Sequence, residues 1–110
     1  MILNPKDKAE YILCAAIWYK ELETPPYNPI NVESGMVICG HRHSHCISIM
    51  LTLGKLRTVT SAVDGVGEYV QGFLTSKNRF VDRREAKKIA IIEKQISSDH
   101  KGILFSENIY

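Results

Sequence analysis

The densest chemistry in the chain lies in one run, Cys39-Gly-His41-Arg42-His43-Ser44-His45-Cys46, which carries three imidazoles, a guanidinium and two thiols. Three readings fit it. Imidazole with thiolate is a proper zinc donor set, and Cys39, His41, His43 and His45 alternate along an extended segment, as in a small metal-dependent hydrolase or a zinc-binding domain. The spacing approaches the His-x-His-x-Asp-His pattern of the metallo-β-lactamase fold. However, Ser44-His45 stands where Asp-His is required, and the chain is too short for that two-layered fold. In the second reading the run is a turn between a strand and a helix starting near His43 or Ser44, so unpaired N–H groups and the positive end of the helix dipole face whatever lies above it. Arg42 then offers phosphate a bidentate fork, and His43 or His45 a further donor. In the third, His45 and Cys46 pack in the core, His41 and Arg42 are solvated or serve an interface, and the protein is structural.

A second constellation, Gln71-Gly-Phe73-Leu-Thr75-Ser-Lys-Asn-Arg79-Phe80-Val-Asp82-Arg83, is another strand-turn-helix junction with two aromatic and three basic side chains. An aromatic face beside guanidinium groups suits a nucleobase and a phosphate on one molecule. The alternative is that Phe73 and Phe80 are core residues and Asp82 is only a helix cap. Trp18 and Tyr19 end an apolar run and are able to line a pocket. No Gly-x-Ser-x-Gly elbow or Gly-rich phosphate loop is present, and neither Cys46 beside His45 nor any carboxylate pair makes a catalytic set. The polar groups are mostly donors and cations. They suit holding an anion, so the expectation is a non-enzymatic protein with no metal or cofactor.

These groups need elements to position them. At 110 residues, 45% hydrophobic, the chain has the size of a single domain spanning 1–110. A net charge of +2 is too small for a protein that tracks a nucleic-acid polymer, so any anion must be met locally. Three cysteines, an odd count, and no signal-peptide pattern fit reduced thiols in a cytosolic setting. The apolar runs fall short of the ~20 residues that cross a bilayer.

The run 11–19 predicts a strand buried on both faces, with a short buried helix as the rival. Pro25, Pro26 and Pro29 make 23–35 a long loop, placed to cover a pocket or a partner surface. A short strand over 36–39 leads through Gly40 to a helix whose apolar stripe is Cys46, Ile49, Met50, Leu53 and Leu56. Residues 55–68 read as an irregular polar connection, 69–76 as a strand, and Lys77-Asn78 as a turn. Arg79 to Val81 then lead into a helix capped by Asp82, with Glu85 completing a capping box and Ala86, Ile89, Ala90, Ile92 and Ile96 facing the core to about Ser97. The apolar tail 102–110 is expected to dock. The fold class is α+β, with a small antiparallel or mixed sheet and two main helices.

Cys14-Ala-Ala-Ile-Trp18, the Arg42-His43 pair opening a helix, Gln71-Gly-Phe-Leu-Thr, Arg79-Phe-Val-Asp-Arg-Arg-Glu-Ala and Leu104-Phe-Ser-Glu-Asn-Ile-Tyr110 occur in that order. In these blocks, across residues 11 to 110, the chain resembles the first-described family of phage anti-Thoeris sponge proteins. The resemblance implies a protein of the host cytoplasm that sequesters the cyclic ADP-ribose isomer (glycocyclic ADP-ribose) made by TIR-domain enzymes and does not degrade it. Some members of that family also bind cyclic oligonucleotides. It further implies a homodimer, in some members assembled into hexamers. By motif it implies a pocket in which Phe73 stacks a base, Asp82 bonds a ribose hydroxyl or base edge, and Trp18, Arg42, His43, Gln71, Arg79, Phe80 and Arg83 complete the walls.

Overall fold

In the computed structural model, described over residues 9–53 and 68–109, the chain runs β1 (Ile12–Tyr19), β2 (Met36–Gly40), α1 (His43–Thr52), β3 (Tyr69–Thr75), β4 (Phe80–Asp82), α2 (Arg83–Ile92) and a 3-10 turn (Ser106–Asn108). The strands form one sheet in the order β2-β1-β3-β4, every neighbour antiparallel. The α+β expectation holds, and the sheet is antiparallel, not mixed. None of the described helices is long and apolar enough to cross a membrane.

β1 is central because its residues are apolar on both sides. Ala15, Ile17 and Tyr19 pack under α1 against Cys46 and Met50, whereas Ala16 faces Val32 and Phe80 on the other face. This excludes the rival helix. Alternation in β3 sends Phe73 toward the core of α2, with Val81, Ala86, Ile89, Ala90 and Leu104, and Val70 and Leu74 to the opposite face. Both helices therefore cover one face, and the Pro-rich loop crosses the other.

That loop also closes an edge. The Asn31 side chain donates to the Phe80 carbonyl at 2.7 Å and accepts from the Phe80 N–H at 2.8 Å, so one amide does for β4 what another strand would do. Loop 23–35 thus holds the sheet and does not cover the site described below. At the other end Arg79 clamps Glu10 with two bonds, 2.7 and 2.8 Å, and Thr75 adds a third at 2.6 Å. The Arg79 guanidinium holds the Glu10 carboxyl below its usual range.

Three expectations need correction or restriction. Phe80 and Val81, read as part of the Arg79 to Val81 lead-in to α2, pair with β3 as a strand together with Asp82, which also caps α2 as expected. α2 ends at Ile92 and not near Ser97, because Lys94 takes a left-handed φ of 58° and Gln95 turns its amide onto the Ile12 backbone, accepting at 2.8 Å and donating at 3.0 Å. The polar connection 55–68, except Glu68, and any extension of α1 to Leu56 lie outside the described residues. The tail docks as expected, with Leu104 fully buried.

Candidate functional site

Two strand-to-helix junctions meet beside β3 on the helix-bearing face. β2 ends at Gly40, and extended Arg42 (φ −128°, ψ 157°) begins α1 without a side-chain cap and without an acidic residue in the first turn. Its leading N–H groups and dipole are thus left unneutralised by any residue of the helix itself. α2 is the opposite case, since Asp82 accepts the Glu85 N–H at 2.8 Å and Glu85 adds negative charge to that turn.

His43, the first residue of α1, is buried, with Nε2 2.7 Å from the Gly72 carbonyl. A carbonyl only accepts, so Nε2 carries the proton and donates. The ring stands edge-on to Phe73, centroids 5.1 Å apart. Burial drives the His43 pKa down from 6.5, the Gly72 bond opposes this, and the nearby charges of Arg83 and Glu107 push it down and up respectively. His43 is therefore a neutral donor at pH 7.

Around pH 6.5 the unfolded chain takes up a proton that folded His43 refuses, so stability should fall as the pH drops through and below about 6.5. Thermal melts across mildly acidic pH should show this decline, and His43→Gln, which retains an N–H donor without titrating, should flatten it.

Arg83 joins the two junctions. Its Nη2 donates to Gln71 Oε1 at 2.7 Å and its Nη1 to the Leu104 carbonyl, while the guanidinium lies 5.9 Å from the Phe73 ring centroid and 5.2 Å from that of Phe105. Partial burial pushes its pKa down, yet an arginine remains charged throughout the physiological range. Arg42 reaches the same region, with Nε 3.7 Å from Glu107 Oε1. The tail that brings Phe105 and Glu107 is fixed by buried Leu104 and by Lys87, whose Nζ donates to the Gly102 carbonyl at 2.8 Å.

Of the residues singled out in the sequence, Arg42, His43, Gln71, Phe73 and Arg83 come together here. Phe73 has no exposed surface, so its ring supports His43 and Arg83 and has no face left on which to stack a base. Trp18 and Phe80 lie on the opposite sheet face, their centroids 5.8 Å apart, and the Trp18 indole donates to the Ser34 carbonyl at 2.9 Å. Arg79 is committed to Glu10, and Asp82 to capping α2. Among the described residues no three His, Cys, Asp or Glu side chains are grouped to hold a metal. His41 and His45 stack at 6.2 Å, but His43 is drawn away to Gly72.

The sequence reading missed Phe105 and Glu107. The signal was there in an aromatic and a carboxylate within a docking tail, but nothing local says where the tail docks. On the opposite face a cleft of about 220 Å3 is lined by Tyr27, Asn28, Pro29, Val37, Cys39, Leu74 and Asn78, apart from the basic cluster.

No curated protein and no solved structure matches the chain. A family model does match, over residues 11–110, a span that takes in both strand-to-helix junctions and the tail carrying Phe105 and Glu107. On that match the chain belongs to the phage T4 y16D protein family.

Proposed function

We propose that this phage-family protein is an anti-defence sponge that binds the cyclic ADP-ribose isomer made by TIR-domain enzymes in the host cytoplasm and withholds it from its effector without degrading it. The observation that carries the reading is the meeting of Arg42, His43 and Arg83 at the uncapped start of α1, with the half-exposed Phe105 ring alongside. A pyrophosphate is matched by two guanidinium groups and a helix N-terminus, and a purine by the Phe105 ring. The neighbouring groups donate or are already hydrogen-bonded, which suits retention of the ligand over turnover. A second subunit closing over this face would exclude water and strengthen the charged contacts. Effective sequestration calls for nanomolar affinity, about 12 kcal/mol.

The test is to load the protein with the cyclic ADP-ribose isomer, remove the excess, heat the complex and analyse the supernatant. Intact ligand is expected. A processed product would mean an enzyme, and no retained ligand would mean that the basic cluster serves an interface. Glu107 pairs with Arg42 at 3.7 Å and so competes with a phosphate for that guanidinium; Glu107→Gln should tighten binding of the cyclic ADP-ribose isomer about three- to fivefold by removing a partly screened repulsion, read by titration calorimetry.

A further inference from the structure

On the sheet face away from both helices, the cleft of about 220 Å3 shares no residue with the basic cluster. Val37 of β2 and Leu74 of β3 form its sheet side, Tyr27, Asn28 and Pro29 of the Pro-rich loop its outer wall, and Asn78 of the β3–β4 turn adjoins them. The loop is held in place over the sheet. The Gly35 N–H donates to Thr24 Oγ1 at 2.9 Å, the Ile30 N–H to the Asn78 carbonyl at 2.8 Å, and the Asn31 side chain is bonded twice to Phe80. The cleft is therefore preformed, and a ligand entering it has no loop to order.

Three of its side chains carry recognition chemistry that the fold leaves unspent. Tyr27 is 92% exposed, so its ring adds nothing to the core. Asn28 gives its Nδ2 to the Gly35 carbonyl at 3.1 Å, which leaves Oδ1 as an acceptor without a partner among the described residues. Asn78 stands at a left-handed φ of 58°, with its N–H donating to the Thr75 carbonyl at 3.0 Å. Its carboxamide makes no hydrogen bond to the described residues. None of the residues lining the cleft is acidic or basic.

We propose that this cleft binds a neutral, planar heterocycle of the size of a purine base, stacked on Tyr27 and hydrogen-bonded through its edge to the carboxamides of Asn28 and Asn78. A carboxamide presents a donor and an acceptor side by side, the complement of an adenine edge with its exocyclic amine and ring nitrogen. Tyr27 supplies the face for stacking, and Val37 and Leu74 an apolar surface on the sheet side. The volume is below the ~300–1,000 Å3 of sites that enclose a drug-sized molecule, which limits the occupant to a single base or its like.

Charge separates this site from the basic cluster. A phosphate moved into the cleft would lose water and meet no cation in the lining, whereas a neutral ring loses little. An anionic nucleotide is therefore expected at Arg42 and Arg83 and a free base here, and the two assignments stand or fall separately.

The full-length protein, labelled with nitrogen-15, is titrated with adenine and followed by its amide chemical shifts. Shifts confined to Tyr27, Asn28, Val37, Leu74 and Asn78 are expected, with Arg42, His43 and Phe105 unmoved. Asn78→Gly should weaken adenine binding about three- to tenfold through lost hydrogen bonding, and Tyr27→Ser about fivefold or more through lost stacking. Neither should lower the urea midpoint, because glycine accepts the φ of 58° and Tyr27 is almost wholly in solvent. Toluene, a flat ring with no polar edge, should bind at least about tenfold more weakly than adenine. No shifts up to the solubility limit of adenine would overturn the proposal, as would shifts centred on Arg42 and His43, unchanged affinity in both variants, or toluene binding as tightly as adenine.

Discussion

Replacing Gly72 with alanine should destabilise the protein more than any other single substitution considered for the sheet. A Cβ at this position meets the Val81 carbonyl oxygen at 2.1 Å, the Phe80 ring at 2.9 Å and the Val81 carbonyl carbon at 3.0 Å. Two of those three atoms are backbone, and Gly72 is paired on both sides, with Ala16 of β1 and Asp82 of β4. The clash cannot be relieved by a rotamer change. β4 has to move away from β3, at a cost above about 3 kcal/mol, a large part of the ~5–15 kcal/mol that holds a domain together. The Gly72 carbonyl also holds His43, and Gln71 next to it holds Arg83, so any folded fraction should have lost its basic cluster. Urea unfolding followed by near-ultraviolet circular dichroism is the measurement. Gly102→Ala is the control, since its Cβ would have nothing within 4 Å and only the φ of 83° opposes it, for about 1 kcal/mol.

The second large effect is expected at Arg83. Arg83→Met keeps much of the aliphatic packing but removes the donors to Gln71 and to the Leu104 carbonyl, together with the charge between Phe73 and Phe105. Loss of charge-assisted bonds at a partly buried site should reduce stability by about 2–3 kcal/mol, visible as a lower urea midpoint. Under the proposed function, ligand affinity should also fall about tenfold or more, because a positive charge facing the phosphate, held in place by Gln71 and the Leu104 carbonyl, disappears from a partly desolvated pocket. Arg83→Lys separates the two roles. It restores the charge but not the fork, so it should recover part of the affinity while leaving Gln71 and Leu104 incompletely bonded. Equal binding by wild type and Arg83→Met would move the ligand away from this cluster.

The elements that could be read directly from the chain are those with local causes. The apolar run of β1, the Asp82 cap with Glu85 three residues on, and the α2 stripe, in which Ala86, Ile89 and Ala90 are buried and Ile96 packs against them while Ile92 is exposed, each depend on residues within a turn or two of one another. The same holds for the uncapped start of α1 after Gly40, which made Arg42 and His43 candidates in the first place. β4 escaped because three residues carry no measurable alternation. The end of α2 escaped because Gln95 is recruited by the backbone of Ile12, a partner at the other end of the chain.

The composition of the basic cluster divides along the same line. Sequence alone determined an α+β chain, two strand-to-helix junctions rich in arginine and histidine, and a tail that docks, because periodicity, capping and turn chemistry act over short distances. Which residues share a site was decided only by the sheet. Its pleat sends Phe73 to the helix-bearing face and Phe80 with Trp18 to the other, and the antiparallel order brings the start of each helix to β3. Tertiary pairing also committed Arg79 to Glu10, stacked His41 on His45 while His43 turned to Gly72, and set Phe105 and Glu107 beside Arg83 and Arg42. Each of these contacts joins side chains whose meeting depends on how the sheet is paired and which face the helices cover. That is why the chemistry of the conspicuous turn could be read in the sequence and its partners could not.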